Sequence, residues 1–191
     1  MIIGLTGNLG SGKTTIAEMF KKKGFFVVDL DVVGKEILKK GQGAYPKVVK
    51  YFGTTILDKS GEIDRKKLAD LIFTDGKKWA SLCAISHPLI REHMIEIIKK
   101  NKNKNILFDA SMLIEAGVSD LVDKIVVVKI DPSVRDERMM QKNMNLEHAK
   151  LRLQRQMPQE KREKYADFII DNSGPLQRTR NQVNMVLKRV L

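Results

Sequence analysis

Near the start of the chain, Gly7-Asn8-Leu9-Gly10-Ser11-Gly12-Lys13-Thr14 sets glycines, a lysine and a hydroxyl at the spacing G-x-x-x-x-G-K-[ST]. Glycines at these points let backbone N–H groups turn inward around a phosphate with no side chain in the way. Lys13 has the reach and charge for the β- and γ-phosphates of a nucleotide, and the Thr14 hydroxyl suits Mg²⁺. Asn8, Leu9, Gly10, Ser11, Gly12, Lys13, Thr14 and Thr15 are therefore candidate nucleotide-binding residues. The chemistry such a loop serves is phosphoryl transfer from, or hydrolysis of, a nucleoside triphosphate.

Carboxylates follow in the places that chemistry needs them. Val27-Val28-Asp29-Leu30-Asp31 puts two acids at the end of an apolar run. If the chain stays extended there, both point to one side. Asp31 is the candidate general base for a hydroxyl acceptor, and Asp29 a neighbour of undecided role. Ile106-Leu107-Phe108-Asp109 is an apolar run ending in an acid, so Asp109 is a candidate magnesium partner, directly or through water. Glu115 lies six residues further on, either in the same cleft or on a helix surface. In His87-Pro88-Leu89-Ile90-Arg91, Pro88 suits the first turn of a helix, and Arg91 could grip a substrate phosphate. Arg135, Arg138 and Lys142 share a helical face, with Arg152 and Arg155 as a second pair; a guanidinium here could stabilise charge on the transferring group. The scattered His87, His93 and His148, with one Cys83, argue against a metal cluster. Trp79 and the Met139-Met140 pair read as packing.

Elements that could position these groups are legible in the periodicity. Residues 2–6, 25–30, 106–109, 125–130 and 168–170 read as strands separated by helical stretches. A parallel sheet flanked by helices is the economical arrangement, and 125–128 is apolar on both faces as a buried strand must be. The first helix is expected over residues 13–22, burying Ile16, Met19 and Phe20 and ending at Gly24. Asp64 looks like a helix cap. The long stretch from Val32 to Asn105 exceeds any crossover and implies a helical insertion. Residues 132–164 form a second helical stretch in which Lys and Arg outnumber Asp and Glu, as a flap over polyphosphate would require. The expected division is a core of 1–31, 105–131 and 165–191, an insertion of 32–104 and a basic lid of 132–164.

With 191 residues, 42% hydrophobic and 30% charged, the chain can bury a full core. It has no apolar run of membrane-spanning length and no leader before the first strand, and its lone cysteine suits a reducing compartment; a cytoplasmic protein is expected. The net charge of +12 attracts either polyphosphates or nucleic acid. No cluster of aromatics is set out for stacking bases, so no nucleic-acid partner is expected. The residues alone leave three readings open: a kinase with a bulky acceptor, a nucleoside or nucleotide kinase, and a nucleic-acid-associated NTPase.

The residues also resemble the dephospho-coenzyme A kinase family along nearly the whole chain. The similarity is carried by Gly4-Leu5-Thr6-Gly7 leading into the phosphate loop, Val28-Asp29-Leu30-Asp31, Gly61-Glu62-Ile63-Asp64-Arg65 with Leu68, and His87-Pro88 with Ile90-Arg91. Arg138, Arg152 with Gln156, Ala166-Asp167-Phe168-Ile169-Ile170-Asp171-Asn172-Ser173-Gly174 and Gln182-Val183 complete it. The resemblance implies an α/β phosphate-loop kinase core with a five-stranded parallel sheet, a helical substrate-binding insertion and a lid. It implies transfer of the γ-phosphoryl group of ATP, with Mg²⁺, to the 3′-hydroxyl of dephospho-coenzyme A. By position, Asp31, Lys13 and Arg138 would be catalytic. Asp31, His87, Arg91 and Glu115 would meet the acceptor, Thr14 and Asp109 the metal, and Asn172, Ser173 and Gly174 the adenine. A monomer acting on a small molecule is expected. Two departures stand out: Ser111 replaces the family's proline while Glu115 is kept, and Gln141 replaces a common lid arginine, with Lys142 beside it.

Overall fold

The computed structural model describes residues 1–141 and 144–191; Lys142 lies outside the described residues. Packing divides the chain into two units, Met1–Asp29 with Lys100–Leu191, and Leu30–Lys99.

The first unit is built on a parallel sheet. Its strands are β1 (Ile2–Gly7), β2 (Phe26–Asp29), β3 (Ile106–Asp109), β4 (Lys124–Lys129) and β5 (Phe168–Asp171), in the order β2-β3-β1-β4-β5. Every pairing is parallel. The central strand β1 and its neighbour β4 are covered on both faces, which explains their unbroken apolar runs. Helices α1 (Lys13–Lys21) and α9 (Leu176–Val190) cover one side of the core. Ile16, Ala17 and Phe20 of α1 and Val183, Val186, Leu187 and Val190 of α9 meet Ile3, Leu5, Leu107, Val126, Val128 and Ile170. Phe20 packs edge to face on Phe25, with ring centroids 5.3 Å apart. The stretch between β4 and β5 folds as α6 (Pro132–Gln141), α7 (Leu146–Gln154) and α8 (Gln159–Glu163).

The second unit is helical: α2 (Leu30–Glu36), α3 (Tyr45–Phe52), α4 (Arg65–Thr74) and most of α5 (Gly76–Lys100). Its core joins Ala44, Val48, Ile56, Ile63, Leu68, Ile72 and Leu82, with Trp79 packed against it. Asp64 caps α4, its Oδ1 accepting the N–H groups of Lys66 and Lys67 at 2.9 and 3.2 Å.

Two expectations need correction. Strand β2 ends at Asp29 and the chain turns helical at Leu30, because Leu30 and Val33 are buried at helical rather than alternating spacing. Asp31 thus sits in the first turn of α2, and the two acids do not share one extended face. Pro88 is not in a first turn but inside the 25-residue α5, whose start is set upstream where Asp75 Oδ1 accepts the N–H groups of Lys77 and Lys78. The ring removes one backbone donor, yet the helix continues to Lys100.

Asp64→Ala should lower the unfolding free energy by about 1 kcal/mol, the usual value of an N-cap. Urea unfolding curves of the two proteins check it.

Candidate active site

The phosphate loop joins the end of β1 to the start of α1. Gly10 and Gly12 hold φ of +80° and +87°, a region costly for any residue with a Cβ. Gly12 is the N-cap of α1, and no side chain caps the helix. The N-terminus of α1 therefore presents its N–H groups and positive dipole end as an anion site. Lys13 curls back over the loop, its Nζ donating to the Gly7 carbonyl at 3.0 Å. Thr14 and Thr15 are exposed. Among the described residues, Asn8 Oδ1 and Ser11 Oγ are buried in this loop without a hydrogen-bond partner. Such a cradle, lined with unspent polar atoms and closed to Cβ groups, fits a polyphosphate.

The loop is held from outside. Asn172, 5% exposed, donates from Nδ2 to the Ser11 carbonyl at 2.8 Å, and its Oδ1 accepts the Thr179 hydroxyl at 2.9 Å. A Cβ on Gly12 would collide with that amide, and Arg138 Nη1 lies 4.0 Å from the same point. A Cβ on Gly10 would run into Arg135 and Met139 of α6. Arg138, expected near the transferring group, is thus at the rim of the loop. Met139 is buried while Met140 is exposed.

Asp109 ends β3, in register with Asp29 at the end of β2 and with Leu5 of β1. Open parallel sheets bind ligands beyond these carboxyl strand ends. Asp109 is 8% exposed, while Asp29, across from it in register, is exposed. Oxygen donors of this kind, with the Thr14 hydroxyl, suit a hard ion such as Mg²⁺.

The segment after β5 is fixed by a local network. The Ser173 hydroxyl and N–H both bond the Asp171 region, the N–H donating to Asp171 Oδ1 at 2.9 Å, while Ser173 Oγ accepts the Asp131 N–H at 2.8 Å. Gln182 accepts from the Asp171 N–H and donates to its carbonyl, at 2.9 and 2.8 Å. The Ser173 side chain, the Ser173 N–H and nearby Arg178 and Lys129 hold the Asp171 carboxyl below the usual range, against some burial. Gly174 lies beside Arg178.

A family model described as dephospho-CoA kinase matches residues 1–178. A dephospho-CoA kinase of Aquifex aeolicus is 43% identical over 190 residues, covering 98% of this chain and 96% of its own. The chain belongs to the dephospho-CoA kinase family.

Membership makes it a phosphotransferase with dephospho-CoA kinase activity, the final step of coenzyme A biosynthesis. The fold agrees. A dephospho-CoA kinase from Campylobacter jejuni superposes with a TM-score of 0.71 at 27% identity, covering 99% of this chain and 96% of that one. A protein from Thermus thermophilus reaches 0.82 at 26% identity, covering 100% and 98%.

His87 and Arg91 are half-buried, four residues apart on α5 in the second unit, so they share a helix face. Asp31 is exposed on α2 of that unit. Glu115 is engaged within the first unit, its Oε1 taking Arg162 Nη2 at 2.8 Å and the Met157 N–H at 2.8 Å. Asn172 uses both ends of its amide inside the protein. Arg162, fully buried, went unmarked in the sequence because α8 reads as a charged surface helix. Gln156 was visible only as part of the family pattern; its Oε1 accepts the Leu9 N–H at 2.9 Å. Among the described residues no helix is long and apolar enough to cross a membrane, and no three His, Cys, Asp or Glu side chains gather around a common metal position.

Because the folded pKa of Asp171 lies below its unfolded value near 3.8, the carboxylate contributes stability that is complete above that value. The contribution disappears as pH falls through the lower folded value. The stability difference between the parent and Asp171→Asn should therefore be constant at neutral pH and shrink in acid, as followed by thermal melts from pH 7 to pH 2.5.

Proposed function

We propose that this chain performs its family's reaction by binding ATP at the phosphate loop and moving its γ-phosphoryl group to the 3′-hydroxyl of dephospho-coenzyme A. The observation that supports this most is the loop itself: an uncapped helix start, two left-handed glycines and Lys13 folded over them, in a chain matched over residues 1–178. Asp31 takes the hydroxyl proton as the new O–P bond forms. The bond from the γ-phosphorus to the β–γ bridging oxygen breaks, and ADP leaves with that electron pair. Lys13 and the N–H groups of α1 stabilise the charge on the phosphates, and Arg138 adds a guanidinium at the loop rim. Thr14 and Asp109, with Asp29 beside it, would hold Mg²⁺, whose charge offsets that of the β- and γ-oxygens. His87 and Arg91 are proposed to meet the anionic part of the acceptor, and residues 172–174 to back the adenine through their backbone, since the Asn172 side chain is committed elsewhere.

The basic stretch is proposed as the lid, with one refinement. Arg162 is buried in the core, so the moving part is α6 and α7 and the root begins at Gln156. A closed lid excludes water from the phosphoryl group and so favours the acceptor over hydrolysis.

Lys13→Ala should cut turnover by about 10² or more through lost phosphate stabilisation. Asp31→Asn should lower it by about 10²–10⁴ with ATP affinity nearly unchanged, as expected on removing a general base. Turnover with dephospho-coenzyme A and equilibrium ATP binding, measured on both variants, decide this; a fully active Asp31→Asn rules out the assigned base.

For the lid, amide hydrogen exchange with a non-hydrolysable ATP analogue should slow in α7 while α8 stays protected in both states. Equal exchange of α7 with and without the analogue refutes a closing lid.

A further inference from the structure

Two side chains from the root of the basic stretch, Gln156 and Arg162, reach the phosphate loop and the strand that leads into it. Gln156 accepts the Leu9 N–H at 2.9 Å, across 147 residues of sequence. The next peptide N–H, that of Met157, is fixed by Glu115 Oε1 at 2.8 Å. Glu115 is fixed in turn by Arg162, at 2.8 Å from Nη2 and 3.4 Å from Nη1. Arg162 Nη1 also donates to Thr6 Oγ1 at 2.8 Å and to the Ser111 carbonyl at 3.1 Å. Arg162 is 0% exposed and Glu115 only 15%, so this is an ion pair taken almost wholly out of water. The result is a closed path: β1 through Thr6, Arg162, Glu115, the Met157 peptide, Gln156, and back to the loop at Leu9.

A loop that keeps N–H groups for a ligand has few internal hydrogen bonds. The Leu9 peptide could rotate unless something outside fixed it. Gln156 is the only described side chain given to that N–H. Its backbone is tied to the buried pair through the Met157 N–H, which Glu115 accepts.

We infer that Gln156 is a positioning residue for the phosphates of the nucleotide: by holding the Leu9 N–H it presets the curvature of the phosphate loop. The inference rests on the loop being the ATP phosphate site. Without the acceptor, the binding-competent loop becomes a fraction of the population, and apparent ATP affinity falls by that fraction. The dephospho-coenzyme A site is unaffected. Glu115, expected among substrate-binding residues, serves instead as the counter-ion that seats this root.

The test uses the full-length enzyme with Gln156→Met, which keeps length and volume but cannot accept the N–H, and Gln156→Glu, which restores an acceptor. Calorimetry reads equilibrium ATP affinity, steady-state rates give KM for each substrate, and thermal melts give apo stability. Gln156→Met should weaken ATP binding about tenfold, the scale of one buried donor losing its partner. KM for dephospho-coenzyme A should stay within about twofold and the apo melting temperature within about 3 °C. Gln156→Glu should recover part of the ATP affinity. Unchanged ATP affinity in Gln156→Met overturns the inference. So does parallel weakening of both substrates together with a lower melting temperature, which marks a merely structural contact. Absence of ATP binding in the parent, measured beside Lys13→Ala, would instead refute the reading of the loop.

Discussion

A backbone that must offer its N–H groups to a phosphate cannot also satisfy them with its own carbonyls. That single constraint accounts for much of the first unit. The start of α1 carries no side-chain cap, and Gly10 and Gly12 stand in backbone regions that other residues avoid. Order in the loop therefore comes from neighbours: the Asn172 amide on the Ser11 carbonyl, Gln156 on the Leu9 N–H, and Met139 with Arg135 over Gly10. Asn172 is itself held by Thr179 of α9, so the last helix contributes to the first loop. Preorganised dipoles of this kind need no rearrangement when charge develops on the ligand, which is where their catalytic value lies.

The buried Glu115–Arg162 pair shows how such order is anchored. Taking a guanidinium and a carboxylate out of water costs several kcal/mol, and mutual attraction alone seldom offsets it. Here further partners share the load: Thr6 Oγ1, the Ser111 carbonyl and the Met157 N–H. An apolar replacement could pack as well, but it would not tie three separate chain segments to fixed donors and acceptors. Ser111, where the family pattern has proline, takes part through its carbonyl, which proline also possesses. The departure leaves this contact chemically intact.

Much of this was legible in the sequence. All five strands and their parallel pairing followed from apolar runs separated by helical periods, and the phosphate loop from residue types alone. The Asp64 cap was readable because its signal is local. Failures arose where a tertiary contact outweighed a local rule. Burial of Leu30 and Val33 ended β2 early and put Asp31 on a helix. Asp75, upstream, started α5 and left Pro88 in its interior. Arg162 and Gln156 gave no local sign at all: a charged residue in a charged helix and a lone glutamine look solvent-facing until distant strands surround them. Asn172 is visible in the sequence as part of the adenine segment, but the bond from its buried amide to the loop joins residues 161 apart and has no local signal.

The strand order also governs how the chain can be assembled. Ile2 finds its partners at Ile106 and, through Ile3, at Lys124, while Phe26 is paired with Ile106. Strands β1 and β2 are not neighbours, since β3 lies between them. As the nascent chain lengthens, the phosphate loop emerges before β3 and has no sheet to belong to until β3 follows. The contiguous Leu30–Lys99 unit owns a complete apolar core and can condense during that wait. The segment that carries the earliest chemistry in the sequence is thus among the last to acquire its shape, and the apolar residues 2–6 must meanwhile be kept from pairing with other chains.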